Sequence, residues 1–297
     1  MSRGLGDVYK RQDIKYSKNY NSVLENPVMP GAKWFSGSEL NYAQNLLKGD
    51  SDQIAIISIG ENISPKTLTF KELNHRVSSV QKELFKLGVK KGTIVAGFVP
   101  NCAETVISML AVSSLGGVWT SCSPDFGTNG VVDRFGQVDP HILITSNGYS
   151  YNGKIFKLEE KVNGVLDSID SIQHIIEIEY VDIKSNFNHD SIISFGDILS
   201  DEQTQPTFEQ LPFDHPLFIM YSSGTTGPPK SIVHSAGGTL IQHMKEHQLH
   251  CDIKAGKSKM FWFTTCGWMM WNWLVSGLSS GSTIVLYDGS PSYPGLE

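Results

Sequence analysis

From residue 53 onward, short β-rich apolar runs alternate with segments of helical period, and this alternation restricts the fold more than any other feature. Runs at 53–59, 93–99, 117–120, 141–145, 172–178 and 216–221 read as strands. Between the first two, Thr69 offers an N-cap for a helix in which Leu73, Val77, Val80, Leu84 and Leu87 recur at spacings of four and three. Gly88 closes that helix, at the position where a left-handed residue ends the last turn. Further helices are expected over 103–115, 131–138 and 155–169, and residues 182–214 read as a polar surface excursion. Repeated β-then-α order implies parallel strands, because parallel neighbours need crossover connections. The expected class is therefore α/β, with parallel β-sheets flanked by helices. In such sheets ligands bind at the carboxyl ends of the strands.

Charge and cysteine content exclude several functions. The 24 Lys and Arg against 30 Asp and Glu give a net charge of −6, with no basic stripe of the kind a nucleic-acid surface needs. Cys102, Cys122, Cys251 and Cys266 show no paired spacing, which fits a reducing, cytoplasmic setting. Residues 261–287 carry no charge, yet they are dense in Ser, Thr and Asn and are broken by Gly267, Gly277 and Gly281. They read as a strand over 259–263, a buried helix over 268–278 and a strand over 283–287, not as a membrane span. Residues 1–12 have no apolar period and resemble translated linker sequence, so they are expected to be non-native. The run 291–297 stops within a loop, so both ends are expected to be cut.

The strand over 216–221 leads into Tyr221-Ser-Ser-Gly-Thr-Thr-Gly-Pro-Pro-Lys230, followed by a second strand over 231–234. Hydroxyl residues and glycines in succession make poor core and poor helix, but they suit an anion cradle. Gly224 and Gly227 let backbone N–H groups converge on phosphate oxygens without a Cβ in the way. Ser222, Ser223, Thr225 and Thr226 add hydroxyl donors, and Lys230 adds a positive charge. The order of residues is not that of a Walker A loop.

This decapeptide resembles the phosphate-loop signature of the acyl-adenylate-forming enzymes, departing from it only at Ser231, where Gly or Ala is usual, and at the variable position of Pro228. The run from Trp34 to Leu47 is similar to the N-terminal region of the acetyl-CoA synthetase branch. Ser121-Cys-Ser-Pro-Asp-Phe-Gly127, Tyr151-Asn-Gly-Lys154, Gly267-Trp-Met-Met-Trp-Asn-Trp273 and Tyr287-Asp-Gly-Ser-Pro291 look like the acetoacetate-activating ligases of that branch. The likeness runs from about Tyr16 to the end of the chain.

The resemblance implies part of the large N-terminal domain of an adenylate-forming enzyme, with an N-terminal segment over 13–48 and an AMP-binding domain over 49–297 that is cut short. It implies ATP with Mg²⁺, CoA and acetoacetate as small-molecule substrates and cofactors, in a cytoplasmic enzyme with neither nucleic-acid nor membrane partners. The acid is activated as acyl-adenylate with release of pyrophosphate, and CoA then displaces AMP. Ser222, Ser223, Gly224, Thr225, Thr226, Gly227 and Lys230 would hold the phosphates. Trp268, Met269 and Met270 would wall the acyl and pantetheine region, although such a run is by itself more often core. Ser292 and the Gly153–Lys154 pair match CoA-contact positions more loosely, and Lys154 reads equally as a solvated surface lysine. The family's catalytic Lys, its Tyr-Gly-x-Thr-Glu segment and its ribose-binding Asp have no counterpart, so no catalytic residue is assigned and the chain alone is expected not to complete the reaction. A ligase for another short-chain carboxylate, or a non-catalytic nucleotide- or CoA-binding remnant, stays open as an alternative. His243-Met-Lys-Glu-His247 matches an inverted zincin pattern. No acidic helix follows to supply a third ligand, so a surface helix after the phosphate loop is expected there, and no metal site.

Overall fold

A strand buried on both faces must present apolar residues to two cores at once, so its sequence is continuous in hydrophobicity instead of alternating. The computed structural model, which describes residues 10–222 and 227–295, shows this pattern in its central sheet. We number β1 (Ile54–Gly60), β2 (Ile63–Thr69), α1 (Phe70–Lys86), β3 (Ile94–Phe98), α2 (Ala103–Ser114), β4 (Val118–Cys122), α3 (Thr128–Phe135) and β5 (Ile142–Ser146). There follow α4 (Glu159–Leu166), β6 (His174–Ile178), β7 (Ile192–Ser194), β8 (Pro216–Ser222), β9 (Lys230–Ser235), α5 (Ala236–Lys245), β10 (Lys259–Phe261), α6 (Met269–Val275) and β11 (Thr283–Asp288). Among the described residues, seven strands form a sheet in the order β7-β6-β5-β3-β4-β8-β9, parallel except for the β8–β9 hairpin. A second sheet of four runs β10-β11-β1-β2, with only β1–β2 antiparallel.

Consecutive residues of the central strands enter different cores. Val95, Ile142, Ile144 and Ile176 join the larger core, while Ala96, Leu143 and Ile175 join a smaller one that α3 and α4 cover with Val131, Phe135, Val162 and Val165. α2 touches strands of both sheets and all of its residues are buried, its Ser and Thr hydroxyls donating to backbone carbonyls and Glu104 pairing with Lys66. Residues 42–47 of the N-terminal segment belong to the larger core through Tyr42, Ala43, Leu46 and Leu47. Among the described residues no helix is long and apolar enough to cross a membrane.

The caps of α1 fall where the sequence places them. Thr69 Oγ1 accepts the Glu72 N–H at 3.2 Å and the Glu72 carboxylate accepts the Thr69 N–H at 2.8 Å, a reciprocal capping box. At the other end Gly88 takes φ +87°, and the Val89 N–H reaches the Leu84 carbonyl at 2.9 Å.

Two expectations need correction, and one strand was not anticipated. The helix expected over 155–169 is only α4, and its first part is instead a hairpin of Gly148–Tyr151 with Lys154–Lys157. Asn152 and Gly153 both adopt positive φ (52° and 74°), the two-residue turn that suits a twisted hairpin. β2 has no counterpart in the sequence reading, because most of its residues face solvent and carry no apolar alternation. The helix after the phosphate loop is not a surface helix: α5 buries Ala236, Leu240, Ile241, His243 and Met244 and runs on into a π-helical turn, Glu246–His250.

Gly97 on β3 shows how tightly the central strands pack: a Cβ there would stand 2.5 Å from the indole of the fully buried Trp119. Gly97→Ala is therefore expected to destabilise the fold by about 1–3 kcal/mol. Urea denaturation should show a lower midpoint with an unchanged slope.

Candidate functional site

The carboxyl ends of β3, β4 and β8 lie side by side, because these strands are parallel neighbours. β8 reaches Met220-Tyr221-Ser222 there, and its register partner across the hairpin is β9, with Ser222 opposite Lys230 and Tyr221 opposite Ser231. The predicted phosphate loop thus leaves one strand and re-enters the next at its own two ends. Ser223, Gly224, Thr225 and Thr226 lie outside the described residues. Gly227 takes φ +153° with open space where a Cβ would stand. The side chain of Gln137, just after α3, pins the re-entry: its Nε2 donates to the Pro229 carbonyl at 2.8 Å, and its Oε1 accepts from the Ser231 hydroxyl at 2.9 Å. Lys230 is exposed and forms no ion pair among the described residues. A cation left unneutralised at the mouth of a hydroxyl-rich turn is suited to an anionic ligand.

The run 266–270 crosses the end of β4, the strand next to β8. The Ser121 hydroxyl donates to the Cys266 carbonyl at 2.7 Å, and Gly267 packs against the Ser123 backbone. Trp268 then points outward, 58% exposed, with Met269 and Met270 half-buried at the start of α6. Trp271 is fully buried, so the aromatic run divides between surface and core within four residues. Asn272 Nδ2 donates to the sulfur of Met220 at 3.2 Å, which ties α6 to the end of β8.

Asn101, three residues beyond β3, joins these parts. Its backbone N–H donates to Asp288 Oδ1 at 3.0 Å, and its Nδ2 to the carbonyls of Thr264 and Tyr287, each at 3.2 Å. Its Oδ1 accepts the indole N–H of Trp271 at 2.9 Å. Burial pushes the Asp288 carboxyl up to about 6, against the opposing effect of the Asn101 N–H and with the aid of the nearby Glu61 charge. One step further along this network, Glu61 accepts the N–H groups of Asn152 (3.0 Å) and Gly153 (2.8 Å), and also that of Ser290. The Gly153–Lys154 tip and the loop bearing Ser292 therefore meet, and a Cβ on Gly153 would stand 2.6 Å from the Tyr293 ring. Lys154 and Ser292 are both exposed.

Sequence reasoning missed Asn101, Glu61 and Asp288. The Pro100-Asn101 turn directly after a continuous apolar strand was the available signal for the first. For Glu61, partners 91 and 229 positions away, and for Asp288 a partner 187 positions away, left no local trace. Three of the four cysteines are buried. Cys102 and Cys266 are fully buried thiols pushed well up, and burial pushes Cys122 up to about 12, so all stay protonated. Two of the inverted-zincin residues have protein partners: His243 Nδ1 lies 2.8 Å from the Ser276 hydroxyl, and Glu246 accepts the Trp273 indole N–H at 2.9 Å. His247 is buried against the Trp273 ring, 4.7 Å between centroids.

A largely parallel sheet flanked by helices, with one strand ending at Ser222 and the next beginning at Lys230, is the setting in which open α/β folds bind ligands. The chain belongs to the AMP-binding enzyme family, whose description matches residues 44–296. It is 44% identical over 299 residues to an acetoacetyl-CoA synthetase of Xenopus tropicalis, covering 96% of this chain and 44% of that protein. It is 45% identical over 274 residues to an acetoacetyl-coenzyme A synthetase of Rhizobium meliloti, covering 92% of this chain and 42% of that one. The solved acetoacetyl-CoA synthetase from Streptomyces lividans superposes with a TM-score of 0.94 at 42% identity, over 99% of this chain and 45% of that one. The chain thus spans under half the length of the relatives it matches.

Two outcomes are expected at this site. Asn101→Ala strands the Trp271 N–H and two carbonyls in a dry interior and should cost about 1–3 kcal/mol for each group left unpaired, read as a drop in the unfolding midpoint. His247 should give the stability a pH dependence. Burial, reinforced by the neighbouring His243, lowers its folded-state value to about 4 from 6.5. The unfolded chain then binds more protons across that window, so the contribution is complete above about 6.5 and is lost as pH falls toward 4. Asp288, with its raised value, works in the opposite direction, so the comparison must isolate the imidazole. Between pH 7 and pH 5, His247→Phe should lose less stability than wild type; equal losses would show that His247 stays charged in the folded state.

Proposed function

We propose that this chain supplies the phosphate cradle and one wall of the acyl and CoA site of an ATP-dependent acid–thiol ligase acting on acetoacetate. The observation that supports the reading is the end of β8 at Ser222, at the carboxyl edge of a largely parallel sheet and opposite Lys230 of β9, with Asn272 of α6 bonded to Met220 of the same strand. The identities of 44% and 45% with acetoacetyl-CoA synthetases support the same substrate. The domain division suggested by the resemblance, with a segment over 13–48 and an adenylation domain over 49–297, is kept as part of this proposal. So are a cytoplasmic setting, which the unpaired cysteines favour, and the absence of nucleic-acid and membrane partners.

In the first half-reaction an acetoacetate oxygen attacks the α-phosphorus of ATP, the P–O bond to pyrophosphate breaks, and acetoacetyl-adenylate forms. Mg²⁺ enters on the nucleotide as part of the substrate. Among the described residues no group of three His, Cys, Asp or Glu converges to hold a cation. This chain's share of the step is positioning and charge neutralisation. Ser222, Ser223, Gly224, Thr225, Thr226 and Gly227 offer hydroxyl and backbone donors to the β- and γ-phosphates, and Lys230 offsets the charge that builds on the departing pyrophosphate. In the second half-reaction the CoA sulfur attacks the activated carbonyl and AMP leaves. Trp268, Met269 and Met270 border the acyl group and the pantetheine arm, while Gly153, Lys154 and Ser292 meet the remainder of CoA.

A calorimetric titration separates the roles. Lys230→Ala should weaken MgATP and magnesium pyrophosphate by about tenfold or more, the loss of one charge-assisted contact, and leave AMP unchanged. Unaltered affinity for pyrophosphate would remove Lys230 and its loop from the phosphate site.

A further inference from the structure

Glu61 lies at the turn between β1 and β2 and is only 4% exposed, a costly place for a carboxylate unless it is well bonded. Among the described residues it makes no ion pair. Its partners are backbone N–H groups of two separate loops: Asn152 and Gly153 at the hairpin tip, and Ser290 after β11. Space has been cleared for this arrangement. Gly289, at φ +142°, would carry a Cβ 2.5 Å from Glu61 Cγ, and Gly153, at φ +74°, one 2.6 Å from the Tyr293 ring. The hairpin does not need Glu61 for its own register, since Tyr151 and Lys154 already pair across it. What the carboxylate adds is the orientation of the hairpin tip against the second loop.

We propose that Glu61 is a positioning residue for CoA. It holds the two loops in contact so that the Lys154 ammonium and the Ser292 hydroxyl, both exposed, present themselves to one ligand. The groups offered to solvent are mobile in type, a lysine and a serine, whereas the group that sets their spacing is buried and multiply bonded, and this contrast marks a built recognition surface. The inference rests on the reading of Gly153, Lys154 and Ser292 as CoA contacts. It goes beyond that reading by assigning the affinity of those residues to a carboxylate that does not itself meet the ligand.

The test is calorimetric binding of CoA and MgATP to the protein, with amide resonances of Asn152, Gly153 and Ser290 followed by ¹⁵N–¹H spectra. Glu61→Gln keeps the shape but turns one acceptor oxygen into a donor facing a backbone N–H. CoA affinity should fall about tenfold, MgATP affinity should stay near wild type, the unfolding midpoint should fall without loss of the fold, and the three amide resonances should move together. CoA affinity unchanged by Glu61→Gln overturns the proposal, as does an equal loss for both ligands. If that variant does not fold, Gly153→Ala disturbs the same junction through Tyr293 and should show the same selective loss; unchanged CoA binding by it overturns the proposal equally. Lys154→Ala separates the two readings. A weakened Lys154→Ala beside an unchanged Glu61→Gln leaves the CoA site standing and removes Glu61 from it, whereas wild-type protein that binds no CoA removes both.

Discussion

Asn101 is the point on which the arrangement turns. A buried primary amide offers two donors and up to two acceptor directions, and leaving any of them unmet in the interior is costly. Here both donors and the carbonyl oxygen are engaged by groups from three separate stretches: Thr264, Tyr287 and the indole of Trp271. The backbone N–H adds Asp288 as a fourth tie. The residue hangs from the end of β3 in the seven-stranded sheet, while Tyr287 and Asp288 end β11 in the other. One residue therefore ties the carboxyl ends of β3 and β11, in two sheets, against each other.

The same burial that makes Asn101 effective decides what chemistry the surroundings permit. Cys102, Cys122 and Cys266 are held as neutral thiols, and His243 and His247 as neutral rings, each lowered to about 4 by desolvation. Reactive groups are kept silent, while charge is placed at the rim on Lys230 and Lys154. That division suits a reaction whose nucleophiles and leaving groups all belong to the substrates, where the protein's part is to orient and neutralise.

The parts of this fold legible in the sequence are those where one residue type answers to one local demand. β3, β5 and β6 stood out because both of their faces are buried, and α1 because Thr69, Glu72 and Gly88 each satisfy a cap. The Tyr221–Lys230 run stood out in the sequence for its succession of hydroxyls, glycines and a lysine, and its middle residues lie outside the described residues. Ile155 and Phe156 misled because an apolar pair does not declare its period, and the stronger signal, Asn152-Gly153, concerned the turn before them. β2 was silent because its outer residues answer only to solvent. Glu61 and Asp288 were silent for a different reason: their partners are brought close by the fold, and nothing in a short window of sequence records that.

The split within the aromatic run has a practical side. Trp119 and Trp271 are sealed in the interior, at most 1% exposed, whereas Trp268 stands 58% exposed at the edge of the candidate acyl site and Trp262 is 48% exposed. Indole emission shifts with the polarity around the ring, and collisional quenchers reach only what solvent reaches. The protein thus carries an optical gauge of its own site: the red, quenchable part of its fluorescence reports on Trp268 and the other exposed indoles, while the blue, shielded part reports whether the core beneath them is intact.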